Sequence, residues 1–250
     1  MMRYLVVLIG VLFINCSPLF AQRTVNTQSL YWVKYGASFA VGTDLKIQAS
    51  IEDRRYFKNN RQHMWLYTLD ANKRLKNGWS AGVGFMRWTI LMPSDPESLH
   101  EVTQGEWRPF QYLTHSAPLS GRFEFGQRMM LEERIRQNFS SDPLTGSPVI
   151  EDGYYAYLRY RHRLQITAKI NAVDSRVPIS VTLANEAMLH FGDDRIINTF
   201  DQNRVSIAMN LKLLESTKLS LGYLNWYQQS AATTDYVRRN IATLYVTQQF

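Results

Sequence analysis

Arginine and glutamate recur in this chain at intervals that a β-strand would gather onto one face. Glu106 and Arg108 are two residues apart, as are Glu132, Arg134 and Arg136, and Arg159, Arg161 and Arg163. Glu124 and Arg128 share the parity of the second group, and Glu186 and Arg204 stand alone in later segments. In a strand, successive side chains point to opposite faces, so each group shares a side, whereas a helix would scatter it. The intervening residues in the second group are Phe123, Phe125, Met129, Leu131 and Ile135, which leaves one apolar side and one charged side. Four Glu against eight Arg make the charged side cationic. Guanidinium groups suit bidentate recognition of carboxylate or phosphate. Two chemistries fit: an interlocking Arg–Glu network that fills a narrow lumen, or a cationic lumen that conducts or holds an anion.

The elements needed to present such a wall are strands, and the pattern supplies them. Leu45, Ile47, Ala49 and Ile51 alternate with Lys46, Gln48, Ser50, Glu52 and Arg54, and Trp79, Ala81, Val83 and Phe85 alternate with Ser80, Gly82 and Gly84. Further strands are expected over Tyr31 to Phe39, His63 to Leu75, Gly105 to His115, Tyr154 to Ile166, Ile179 to Leu189, Asn203 to Leu213, Leu219 to Tyr227 and Val237 to Phe250. Each is close to the roughly 9 to 11 residues of a tilted transmembrane strand. Turn signals at Gly42-Thr43-Asp44, Lys58-Asn59-Asn60, Lys76-Asn77-Gly78, Pro118 to Gly121 and Leu214 to Thr217 separate them, while Leu91 to Gln104 and Gln137 to Asp152 read as long polar loops. Short turns at one end and longer loops at the other match an outer-membrane barrel. Eleven strands are visible, yet a closed antiparallel barrel calls for an even number. Twelve is therefore expected, with one strand near Arg23 to Gln28, and ten is the alternative, with Arg163 to Pro178 as the place of a miscount. Tyr31, Trp32, Trp65, Trp79, Trp88, Trp107, Tyr223, Trp226 and Tyr227 are expected to form aromatic girdles at the strand ends.

The chain ends agree with export. Met1 to Arg3 carry a positive charge, Tyr4 to Ile14 are apolar, and Ala21 offers a small residue before cleavage, so residues 1–21 read as a signal peptide and 22–250 as one barrel domain. Cys16 raises a lipoprotein alternative, but Asn15 stands where a lipobox wants a small residue. Loss of Cys16 with the signal removes any disulfide, thiolate metal site or cysteine nucleophile. Phe250 closes an alternating strand and reads as an assembly signal for the barrel-insertion machinery. The net charge of +7 is modest and unclustered, which argues against nucleic acid in an exported chain. Outer-membrane lipid, lipopolysaccharide and a small anionic ligand are the partners to expect. A mean hydropathy of −0.28 excludes a helical membrane protein but suits a barrel, where only alternate residues face lipid.

Glu106-Trp107-Arg108-Pro109-Phe110, Leu131-Glu132-Glu133-Arg134, Leu158 to Arg163, Asn185-Glu186, Phe200 to Arg204 and Leu221 to Asn225 occur in an order that resembles the uncharacterised Bacteroidetes-type outer-membrane barrels classed as domain of unknown function 2490. The resemblance spans nearly the whole exported chain and implies a signal peptide and a membrane barrel, with no established activity and no catalytic residue. The residues themselves contain no HExxH or phosphate-binding loop, and neither metal nor cofactor is expected. Glu186 and His190 share a face, as a lipid-modifying barrel enzyme would need, but without a matched serine. The reading is a Gram-negative outer-membrane barrel, structural or a narrow anion-preferring pore. An outer-membrane phospholipase or lipid A deacylase is the alternative.

Overall fold

A computed structural model describes residues 25–99, 101–145, 147–171, 175–194, 196, 198–229 and 235–250. The expected signal peptide, with Cys16 and the cleavage position, lies outside the described residues. The chain forms β1 (Val25–Val41), β2 (Leu45–Tyr56), β3 (Gln62–Arg74), β4 (Trp79–Met92), β5 (Val102–Ser120), β6 (Phe123–Ser141), β7 (Pro148–Lys169), β8 (Ile179–Phe191), β9 (Phe200–Lys212), β10 (Thr217–Gln229) and β11 (Tyr236–Gln249). Each strand pairs with its sequence neighbours, and β1 pairs with β11, so the sheet is a closed barrel.

Among the described residues the count is eleven, between the twelve and the ten expected, and the reason is the seam. Every consecutive pair is antiparallel, so an odd number leaves the first and last strands running the same way. They close in parallel, from Val25 beside Tyr236 to Ser38 beside Gln249. Of the stretch Arg23 to Gln28, where a further strand was expected, Val25 to Gln28 are the first residues of β1. At the far end of the seam, Phe250 donates its N–H to the Ser38 carbonyl at 2.9 Å and stacks on Phe39 at 5.1 Å between ring centroids.

The period-two pattern sets the two faces. Val33, Ile51, Leu69, Val83, Ile166, Leu183, Val205 and Leu244 are exposed on the outer wall. Their alternate neighbours line the interior, where Met64, Leu66, Met86, Trp88, Ile90, Phe110 and Met130 form one apolar cluster and Leu30, Trp32, Tyr56, Trp226 and Ile241 another. Trp32, Trp88 and Trp226 are therefore inside the barrel, not in outer girdles. They share parity with inward residues, so position near a strand end did not decide their side. Trp65 and Trp107 do lie on the outer parity.

The two ends differ as the turn signals suggest. Residues 42–44, 75–78, 121–122, 170–178 and 213–216 connect strands at one end, while 57–61, 93–101, 142–147, 192–199 and 230–235 do so at the other. The expected loop Gln137 to Asp152 is mostly strand, because β6 and β7 continue as a two-stranded hairpin past the end of β5, re-registered between Gln137 and Phe139. The 93–99 segment is tied to its neighbours: Arg61 donates to the carbonyls of Asp95 and Ser98, Asn59 to that of Pro96, and inward-facing Gln28 to that of Ser94.

Asn77 and Gly78 make the β3–β4 turn with φ of 57° and 78°, the left-handed pair that matches hairpin twist. A Cβ on Gly78 would meet the Ser116 carbonyl oxygen at 2.2 Å, whereas one on Gly42, also at positive φ, would meet nothing. Gly78→Ala is expected to lower stability by more than about 2 kcal/mol and Gly42→Ala by only about 1 kcal/mol, the conformational term alone. Urea titration of the folded barrel in lipid vesicles measures both, and equal losses would contradict the steric account.

Candidate functional site

The interior charges form one connected ladder across β5 to β9. Glu106 sits at its β5 end and receives Arg108 Nε at 2.6 Å, from its own strand, and Arg134 through Nε at 2.5 Å and Nη2 at 3.0 Å, from β6. Arg136 lies 3.9 Å from Glu106 and donates to Gln104 at 2.9 Å. Glu132 on β6 stands directly opposite Arg159 on β7. It accepts from Arg159 Nε at 2.7 Å and from Arg161 Nη1 at 2.5 Å, and Arg108 Nη1 is 3.8 Å away. Glu186 on β8 receives Arg161 Nη2 on both oxygens at 2.9 Å and Arg128 Nη2 at 2.8 Å. The β9 end is Asp201, which accepts from Arg159 Nη1 at 3.1 Å.

Glu106 and Glu132 are 0% exposed and Arg108 is 1% exposed, so no bulk water screens them. Burying isolated ions would be prohibitive; here each glutamate of the ladder faces two or more guanidinium groups and Asp201 faces one guanidinium and the His190 ring, and each guanidinium brings five donors in a fixed plane. Lysine at these positions would supply one donor head and could not bridge two carboxylates in this way.

Not every charge predicted for the lumen finds an opposite charge. Glu124 is exposed near the tight-turn end and accepts a hydrogen bond from Ser116 at 2.5 Å. Arg204 has no salt bridge among the described residues; it donates to Gln202 at 2.9 Å and lies 4.6 Å over the Trp226 ring. Arg163 has no ion pair there either, and its buried Nε has no partner. The surplus of arginine is met partly by indole faces: Arg108 lies 3.6 Å from the Trp88 ring centroid, Arg54 3.7 Å from that of Trp32, and Arg239 4.4 Å from that of Trp226. A ring quadrupole attracts a cation without needing a second buried charge.

Several interior polar residues lie beyond the first set. Glu52 and Arg54 pair at 2.5 Å on the same parity as Lys46, Gln48 and Ser50, a signal already present in the alternation. Asp201 and His63 have no such signal. Asp201 is buried beside buried Gln202, and His63 beside buried Met64, because register shifts at Met188/Leu189 and Arg54/Arg55 insert an extra residue and turn it inward.

The lipid-modifying chemistry would need a serine activated by histidine. His190 is inside the barrel with Nε2 at 2.9 Å from Asp201, and its buried Nδ1 has no partner. Nε2 must carry the proton to donate to Asp201, so the Arg134 nitrogen 3.2 Å away is a crowded cation and not a donor to it. Among the described residues neither ring nitrogen meets a serine hydroxyl. Among the described residues no cluster of three metal-ligating side chains occurs.

Below the ladder the lumen opens into a cavity of about 1000 Å³, lined by the tight-turn residues Gly42, Thr43 and Asp44 at one end and by Arg54, Arg128, Arg161, Glu186 and Arg204 at the other. The family model for a protein of unknown function, DUF2490, matches residues 30–237, which reach from within β1 to within β11. The chain belongs to that family. A comparison with curated proteins finds no match. The ladder, from Glu106 to Asp201, falls wholly inside the matched span.

Glu132→Ala would strand Arg159 and Arg161 in a dry interior and is expected to cost about 3 to 5 kcal/mol. Glu97→Ala, removing a partner of Lys58 from an exposed pair, is expected to cost under about 1 kcal/mol. Denaturant midpoints of the two variants check the difference; a comparable small loss in both would mean the ladder is hydrated.

Proposed function

We propose that this protein is an outer-membrane β-barrel whose lumen is sealed by the Arg–carboxylate ladder and its indole partners, so that it stands in the membrane without conducting. The observation that carries this reading is the combination of an apolar outer wall on a closed barrel with a dry, charge-paired interior. A closed sheet is the β-structure that leaves no unpaired backbone edge in lipid, and an apolar belt encircling a monomer exceeds what a water-soluble surface tolerates. Strands of 12 to 22 residues are long enough to cross with tilt. The tight turns face the periplasm and the longer loops face outward, following the general asymmetry of such barrels. Outer-membrane lipid and lipopolysaccharide then contact the outer wall.

A pore would require a water path past Glu106, Arg108 and Glu132, and their near-zero exposure supports the sealed alternative. Folded protein inserted into planar bilayers is expected to remain electrically silent, and membrane fractionation should recover it with the outer membrane. Steady anion-selective conductance would overturn the sealed-lumen reading, and recovery as a soluble periplasmic species would overturn the membrane assignment.

A further inference from the structure

The cavity below the ladder differs in chemistry from the ladder itself. Its carboxylates are already engaged: Glu52 by Arg54 at 2.5 Å, Glu186 by Arg161 and Arg128, and Asp70 by the Tyr112 hydroxyl at 2.7 Å. Asp44 lies out at the mouth, in the β1–β2 turn. Its cations are not all engaged. Lys34 stands opposite Glu52 in the register but forms no salt bridge with it, lying instead over the Tyr245 ring at 4.7 Å. Arg163 has no ion pair among the described residues, and the buried Nε of Arg128 also lacks a partner. Arg128 and Arg163 stand opposite each other in the β6–β7 register, and both line the cavity with Lys34. Three cations from β1, β6 and β7 thus line one water-accessible space, and of the three only Arg128 forms a salt bridge, to Glu186, which Arg161 shares.

The walls above the mouth carry hydroxyls from four further strands and the seam: Ser50, Thr68, Ser206, Ser220, Thr243 and Thr247. Hydroxyls both donate and accept, so they suit a ligand that is itself rich in hydroxyls. The cavity is enclosed by the ring of strands and opens at the tight-turn end, which admits solutes from water and excludes acyl chains that remain in a bilayer. Its volume of about 1000 Å³ is at the upper end of small-molecule sites.

We propose that this cavity binds a soluble phosphate ester of a small polyhydroxylated molecule, the phosphate held by Lys34, Arg128 and Arg163 and the hydroxyl-bearing part by the serine and threonine wall. The inference rests on the sealed lumen, since a through-channel would pass such a solute rather than hold it. Phosphate oxygens would supply the acceptors that Arg163 and Arg128 lack, and a dianion would relieve the repulsion among the three cations.

Calorimetric titration of the folded protein in zwitterionic detergent tests this, with glucose 6-phosphate as probe and inorganic phosphate and glucose as its separated parts. Glucose 6-phosphate is expected to bind more tightly than inorganic phosphate, and glucose not to register. Lys34→Gln and Arg163→Gln should each weaken binding by about tenfold, while Arg122→Gln, in the exposed β5–β6 turn, should leave it unchanged. Should either neutral variant fail to fold, Arg163→Lys keeps the charge, removes the second donor and should still weaken binding. Absence of binding at millimolar probe, or binding indifferent to both cavity variants, would overturn the proposal. Displacement of the probe by phosphatidylglycerol in mixed micelles would overturn its assignment to a soluble ester. A silent bilayer with no binding refutes this inference alone; a conducting protein that still binds refutes the sealed lumen alone.

Discussion

The pairing of buried guanidinium groups with buried carboxylates is the constraint on which the rest of this barrel depends. Once Phe123, Phe125 and Leu131 face outward, alternation sends Glu124, Arg128, Glu132 and Arg134 inward, and a closed ring gives them nowhere else to go. Ions in a dry interior are tolerable only if every lone pair and most protons are used. The β5–β9 wall comes near that demand because its guanidinium groups bridge carboxylates on different strands, Arg159 reaching Glu132 on one side and Asp201 on the other, with Arg108 Nη1 and Asp201 Oδ1 left without a hydrogen bond. A one-residue slip in any of these strands would expose the charges to the outer wall and bury the apolar residues opposite them. The ladder therefore specifies register as well as filling space.

The opposite wall solves the same problem differently. On β1, β2, β10 and β11 and the adjoining β9 the carboxylates are few, and Arg54, Arg204 and Arg239 lie on indole faces and donate to Glu52, Gln202 and Gln28 respectively. Amide oxygens and aromatic quadrupoles accept guanidinium protons and charge without adding anions that would need partners of their own. The parallel seam between β1 and β11 runs through this half, where the apolar cluster of Leu30, Trp32, Trp226 and Ile241 packs across it. Shape and charge together leave the tight-turn end hollow, because the inward residues there are small: Gly36, Ala40, Ser50 and Ser220 line the cavity where arginine and tryptophan fill the opposite half.

Much of this was legible in the sequence because period two is a local signal. The eleven strands, the turn at Asn77-Gly78, the two faces and the inward placement of Glu106, Glu132 and Arg159 all follow from residues within a few positions of each other. What was not legible depends on long-range geometry. The register shifts that turn Asp201 and His63 inward leave no mark in alternation, since the inserted residue looks like the start of the outer parity. The inward position of Trp32, Trp88 and Trp226 was readable from parity but competed with the tendency of aromatic residues to gather at strand ends. The even-number rule failed because closure was assumed to be antiparallel, and nothing within one strand reports the direction of a partner more than 200 residues away. Arg163 and Arg204 looked equivalent to their paired neighbours, because which carboxylate goes to which guanidinium is settled only by distances across the lumen.

The claim that the lumen is closed between its two ends is tested most directly by chemical access from each side. Thr68→Cys would place a thiol on the cavity wall, and Leu144→Cys would mark the long-loop face, both in a chain carrying Cys16→Ser. With the barrel reconstituted in vesicles of one orientation, a membrane-impermeant maleimide should label residue 144 only from the long-loop side and residue 68 only from the tight-turn side. Labelling of residue 68 from the long-loop side, at a rate near that of residue 144, would mean that water passes the ladder and would contradict the account.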